Sequence, residues 1–204
     1  MEEVEFNGMR FLVFSTVYLP AEDSFLLAKY ACTASGRVLD VGTGCGICAI
    51  MAKKYGAREV LGVDINPECI AVAQMNAEKN KVKCEFKVSD LFRNVGGEFD
   101  TTMFNPPYLP TSEDEQLEGR ENAAYDGGLN GRKVIDRFLK EFPRHLKFTG
   151  RLLMLDSSLD NTGLTLSKLH EMGFATRVLE HQRFFFEELS VIEARRAGSV
   201  IWNP

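Results

Sequence analysis

The chain has 204 residues, of which 45% are hydrophobic, 26% charged and 10% aromatic, the usage of one packed globular domain, which excludes a fibrous or wholly disordered chain. Acidic residues outnumber basic ones, 29 to 24, for a net charge of −5; this lacks the overall basic field of an autonomous nucleic-acid binder, though it leaves room for a local basic patch. No apolar run approaches the roughly 20 residues of a membrane span, the start Met1-Glu2-Glu3-Val4-Glu5 is acidic where an export signal is basic, and five cysteines without scaffold spacing suit free thiols, so a cytoplasmic protein is expected.

In chain order, Glu22-Asp23-Ser24 ahead of Phe25-Leu26-Leu27 marks a first helix. From Gly36 onward, apolar β-like runs alternate with helical patterns, which predicts an α/β fold with a mostly parallel sheet covered by helices on both faces. Seven strands are expected, at Arg37–Val41, Val60–Asp64, Val82–Val88, Phe99–Phe104, Arg151–Asp156, Phe174–His181 and Leu189–Ala194. Asn66 and Pro67 supply the N-cap and first-turn proline of a helix through Ile70, Ala73 and Ala77. Another helix follows Asn130, with Val134, Ile135, Phe138, Leu139 and Phe142 on one face and Pro143 as its stop.

Three stretches fall outside this rhythm or qualify it. Residues 106–131 carry Glu113, Asp114, Glu115, Glu118, Glu121 and Gly127-Gly128 with little apolar periodicity, and read as a long loop: a substrate-facing lid or a solvated insertion. Phe184-Phe185-Phe186 reads as core packing beneath the sheet, with an exposed patch as the alternative. Residues 81–88 alternate charged and apolar side chains, as a strand with one wet side does. One domain over 1–204 is expected, with 1–35 as an N-terminal extension carrying a helix and 36–204 as the core.

The chemistry concentrates at the expected strand ends. Val38-Leu39-Asp40-Val41-Gly42-Thr43-Gly44-Cys45-Gly46 runs from a strand through a glycine turn into a helix, so Gly42 and Gly44 bring bare backbone near a ligand. The pattern is G-x-G-x-G, with Ile47 where a dinucleotide fingerprint has its third glycine. Asp40 also suits a sulfonium or ammonium group better than a pyrophosphate. Alone, the turn reads as well as a tight strand-to-helix connection. Asp64 ends the next strand, where it can accept from both ribose hydroxyls, and Asp90 ends the one after, within reach of an adenine amino group. Asn105-Pro106-Pro107-Tyr108 ends the fourth: the Asn105 oxygen and the Pro106 carbonyl can take the two N–H bonds of a planar amino group, against which Tyr108 can stack.

Residues 40–46, Asp64, Asp90 and Asn105–Tyr108 resemble the Rossmann-like, class I S-adenosylmethionine-dependent methyltransferases of planar exocyclic or amide nitrogens. Residues 17–24 and 124–132 narrow the resemblance to the HemK-type release-factor glutamine methyltransferases, in their archaeal and eukaryotic branch. The resemblance implies S-adenosylmethionine as cofactor and S-adenosylhomocysteine as product. It implies cofactor contacts at Ser24, Asp40, Gly42, Gly44, Asp64, Asp90, Leu91 and Asn105, with Asn105, Pro106 and Tyr108 as catalytic residues. The implied substrate is the glutamine of the Gly-Gly-Gln loop of a class I translation termination factor. A small zinc-ribbon activator forming a heterodimer is implied as well, since the bacterial branch carries an N-terminal helical domain and fewer than 40 residues precede the first core strand here. The edge strand around residues 81–88 is where such an activator would dock.

Other readings remain beside this one. A nucleic-acid methyltransferase acting on adenine N6 or guanine N2 fits the same clamp but not the charge. A protein-lysine methyltransferase fits a planar clamp poorly, and a cofactor-binding subunit without turnover is the non-enzyme case. Cys45-Gly46-Ile47-Cys48 reads as a redox pair only against Cys48 falling on the buried side of its helix. His145, His170 and His181 are scattered, and no second C-x-x-C exists, so no metal site is expected.

Overall fold

The computed structural model describes residues 1–108 and 131–199. Its centre is a seven-stranded sheet in the order β5-β4-β3-β6-β7-β9-β8, formed by β3 (Arg37–Val41), β4 (Glu59–Asp64), β5 (Glu85–Val88), β6 (Phe99–Phe104), β7 (Leu146–Ser157), β8 (Phe174–Arg183) and β9 (Glu188–Arg196). The pairings from β5 through to β7 are parallel, and β9 runs against both β7 and β8. Side chains alternate between faces as strand geometry requires. Val38, Leu153 and Leu155 join a core shared with helices α1 (Glu22–Ala31), α2 (Ile47–Lys54) and α3 (Pro67–Lys79). Leu39, Val41, Leu152 and Met154 join a second core under α4 (Lys133–Glu141) and α5 (Thr162–Glu171). Stacked rings thicken that second core: Phe138 lies 4.1 Å from Phe104 and 5.4 Å from Phe142, centroid to centroid. The expected α/β architecture and all seven strands are present.

The differences are local and have physical reasons. The expected strand 82–88 begins only at Glu85, because the Val82 N–H is bound to the Ala77 carbonyl in the closing turn of α3. Glu22-Asp23-Ser24 does open α1, but Ala21 is its N-cap and no side chain caps it; Asp23 and Ser24 are buried in the first turn instead. Asn66 caps α3 as expected, accepting from the Glu68 N–H at 3.0 Å. Two elements go beyond the expected set: α5, capped by the Asn161 side chain, and an N-terminal hairpin of β1 (Glu2–Phe6) and β2 (Met9–Val13). The hairpin turns at Asn7-Gly8, both at positive φ, as a primed turn demands.

The Phe184–Phe186 run corrects an expectation. It lies outside the core, in the turn between β8 and β9 that projects past the sheet's carboxyl edge, with Phe185 94% and Phe186 86% exposed. Of the expected loop at 106–131, residues 109–130, with all five quoted acids, lie outside the described residues.

One buried amide ties the hairpin to the rest. Asn76 of α3 accepts from the Leu12 N–H at 2.7 Å and donates to the Leu12 carbonyl and to the Cys45 carbonyl, each at 2.9 Å. Asn76→Ala strands three backbone groups, the Cys45 carbonyl buried and the two of Leu12 partly so, and the free energy of unfolding in urea should fall by about 2–4 kcal/mol; a loss below ~1 kcal/mol would show that the hairpin is held mainly by its apolar face and by the Asn80 bonds to Arg10.

Candidate active site

Parallel strands end together, and the carboxyl ends of β3, β4, β5 and β6 surround a cavity of about 460 Å³, within the usual range of small-molecule sites. Every residue singled out above lines it: Ser24, Asp40, Gly42, Gly44, Asp64, Asp90, Leu91, Asn105, Pro106 and Tyr108. So do Tyr18, Asp23, Lys133 and Arg137, which sequence reasoning passed over as ligand-facing groups.

The glycine turn forms the floor. Gly42, Gly44 and Gly46 all have positive φ, which accounts for a G-x-G-x-G spacing in place of the dinucleotide one. A Cβ on Gly46 would lie 3.0 Å from that of Ala73, so this glycine also lets α2 approach α3. Asp40 at the end of β3 braces the turn, accepting from the Thr43 hydroxyl at 2.6 Å and the Ala49 N–H at 3.1 Å. Burial pushes its carboxyl up to about 7. Asp64 accepts from the Gly44 N–H at 3.0 Å on one oxygen and the Asn66 N–H at 2.9 Å on the other. The Cys69 thiol and the Ile65 N–H also bond to this carboxylate, and burial still raises its pKa. Asp90 differs from its two companions, because one of its oxygens accepts from the Arg137 guanidinium at 2.9 Å. An amino group approaching Asp90 therefore meets a carboxylate already shared with a cation.

Asn105 is held with a defined polarity. Its Nδ2 donates to Asp23 Oδ2 at 2.9 Å, while Asp23 Oδ1 accepts from the Tyr18 hydroxyl at 3.1 Å and the Ser24 hydroxyl at 3.2 Å. A carboxylate only accepts, so the atom of Asn105 that faces it must be the NH₂. The amide oxygen then faces the other way: Oδ1 is buried and has no hydrogen-bond partner among the described residues. Buried acceptors in folded proteins are nearly always paired, so the unpaired Oδ1 stands out among the residues that line the cavity. Asp23 reads in sequence as an ordinary acid in a first helical turn; its sole distinguishing sign is burial. Tyr108 is half buried, packs against both cores, and has its phenol raised by burial and the surrounding acids, Asp23 and Glu187 among them.

The Cys45/Cys48 pair has no redox character here. Both thiols are free, and burial raises Cys45 to about 12 and Cys48 well above its ordinary value, so neither is a thiolate near neutrality. Among the described residues, no helix is long and apolar enough to cross a membrane.

Residues 10–120 match the methyltransferase small domain family. A Methanocaldococcus jannaschii protein named as a protein N5-glutamine methyltransferase is 44% identical over 95% of this chain and 98% of its own length. Human methyltransferase HEMK2 is 32% identical, over 88% of this chain and 90% of the relative. Among solved structures, that of the Encephalitozoon cuniculi Mtq2-Trm112 complex, described as responsible for methylation of the termination factor eRF1, superimposes with a TM-score of 0.71 at 26% identity, covering 89% of this chain and 99% of that one.

Asp40 gives the site a measurable signature. A carboxyl raised from 3.8 to about 7 lets the folded state hold a proton the unfolded chain has lost, so the associated stability is full below pH 3.8 and disappears as pH rises through about 7. Asp40→Asn stays neutral throughout. Between pH 5 and 8 the melting temperature of the wild type should fall relative to that of the variant, and a constant difference would contradict the raised value.

Proposed function

The chain belongs to the methyltransferase small domain family, and within it to the protein-glutamine methyltransferases, and on that premise we propose that it methylates the side-chain amide nitrogen of the glutamine in the Gly-Gly-Gln loop of a class I translation termination factor, using S-adenosylmethionine. The observation that carries the reading is the buried, unpartnered Oδ1 of Asn105. A planar amide NH₂ has two N–H bonds to place, and Asn105 Oδ1 and the Pro106 carbonyl would accept one each.

S-adenosylmethionine, when bound, supplies a methyl group on a positively charged sulfur. The residues present fit such a ligand. Asp40 is a buried carboxylate with no ion-pair partner among the described residues, which a cationic ligand would complement. Gly42 and Gly44 offer close backbone approach, and Asp64 stands at the cavity wall where a ribose hydroxyl could donate to it. Ser24, Leu91 and Asp90 complete the wall, with Arg137 beside Asp90.

The chain's own part in the reaction is chiefly orientation. Asn105 and Pro106 hold the target nitrogen, Asp23 keeps Asn105 from flipping, and Tyr108 covers the flat amide. Well-oriented reactants gain roughly 7–11 kcal/mol in favourable cases, so no strong base is required of this site. Asn105→Ala should lower kcat by at least about 10²-fold with a far smaller loss of cofactor affinity, since the other cofactor contacts remain. Asp23→Asn can donate as well as accept, so Asn105 loses its fixed polarity and kcat should drop by roughly tenfold or more at unchanged cofactor affinity. Tryptic mass spectrometry of termination factor co-expressed with wild type and with either variant reads both outcomes; a glutamine methylated normally by the Asn105 variant would refute the clamp.

We further propose that the chain works as a heterodimer with a small zinc-ribbon activator docked along β5. The relative solved from Encephalitozoon cuniculi is itself a two-protein complex. β5 is an edge of the sheet, and its outer residues, together with Lys81 and Lys83, are wet. Strand addition to such an edge relies on outward N–H groups. In a strand these alternate, so proline at either Lys87 or Val88 removes one; at least one of the two variants should lose the complex on size exclusion, and retention by both would move the partner elsewhere.

A further inference from the structure

The β8–β9 turn displays two phenylalanines that the methyl-transfer chemistry does not use. Phe185 and Phe186 are almost wholly exposed, and their rings meet edge to face at 4.9 Å, presented as a pair. The turn beneath them is firmly built. The Phe184 N–H donates to the Glu187 carbonyl at 2.7 Å, Glu187 accepts from the Ser157 hydroxyl at 2.8 Å, and the Glu188 N–H donates to Ser158 Oγ at 3.0 Å. An adjacent pair of large exposed apolar side chains on a braced turn marks a contact surface.

Its position decides what it contacts. A chain of contacts leads from the turn to the clamp: Glu187 binds Ser157, Ser157 shares a reciprocal capping box with Asp160, and a Cβ on Gly131 would lie 3.2 Å from that of Asp160 and 2.5 Å from the Tyr108 carbonyl. The turn therefore stands on the same carboxyl edge of the sheet as the cavity mouth. The open edge β5 is at the other side of the sheet, six strands from β8. A groove of about 760 Å³ lies against β8 and β9, lined by Leu159, Val178 and Glu188 among others.

We infer that Phe185 and Phe186 form a docking tip for the folded protein substrate, gripping its surface beside the loop that delivers glutamine to Asn105. This rests on the reading of the preceding subsection. A glutamine amide alone offers little to distinguish one protein from another, and the tip supplies aromatic anchor area next to the reacting group, the kind of contact that dominates interface energetics.

The test is steady-state methylation of intact termination factor by the heterodimer carrying F185A/F186A, with Phe148→Ala, an exposed phenylalanine of β7, as control. The expected result is a KM for the factor raised by about ten- to a hundred-fold, with kcat at saturation, cofactor affinity, the melting temperature and the activator complex unchanged, and Phe148→Ala like wild type. A KM within about twofold of wild type overturns the proposal, as does loss of the activator complex or a change of oligomeric state, either of which assigns the tip to another occupant. Failure of the wild-type heterodimer to methylate the factor at all strikes instead at the underlying functional reading, and takes the docking tip with it.

Discussion

A carboxylate cannot donate a hydrogen bond, and much of this site follows from that restriction. Asp23, buried in the first turn of α1, accepts from Tyr18, Ser24 and Asn105, and so compels the Asn105 amide to turn its oxygen away from the carboxylate. The same contact binds the segment ahead of the sheet to the end of β6. The clamp thus depends on α1 being packed where it is, and α1 is packed there by Leu26, Leu27, Ala28 and Ala31, all in the first core.

The parallel sheet performs the corresponding service for the rest of the cavity. Because β3, β4, β5 and β6 run together, Asp40, Asp64, Asp90 and Asn105 arrive at one edge without further instruction. What differs among them is how each acid is satisfied. Asp40 is enclosed and braced by the turn it supports, Asp64 is oriented by backbone N–H groups, and Asp90 is shared with Arg137. Three carboxylates of one residue type thereby acquire three electrostatic characters, a gradient from buried to wet along one wall.

Much of this was readable in the residues. β3 and β6 have the bounds their apolar runs predict, and the strand-end acids and Asn-Pro-Pro-Tyr fall on one cavity, because short-range pattern decides strand ends in a parallel sheet. The N-terminal hairpin is equally legible in Asn7-Gly8, a pair suited to a primed turn. α5 was less so, since only Thr165 and Leu169 of its residues are buried and its apolar stripe is thin. Asp23 and the phenylalanine run lie beyond local reading altogether. What surrounds them comes from distant chain, β6 in one case and the missing cover of a projecting turn in the other, and no window of neighbouring residues contains it.

The reversal of β9 has a consequence for how such a molecule can vary. Within the parallel strands, each connection must return across a face of the sheet, so its length is bound up with helix packing. An antiparallel partner turns round at the carboxyl edge itself. The exposed side chains at the tip of the β8–β9 turn, Phe185 and Phe186, can therefore change without moving a helix, while Glu187 stays tied to Ser157. Where the other strand ends are committed to chemistry, the two side chains at this tip can be exchanged while the backbone that carries them, and the transfer machinery beside it, stand still.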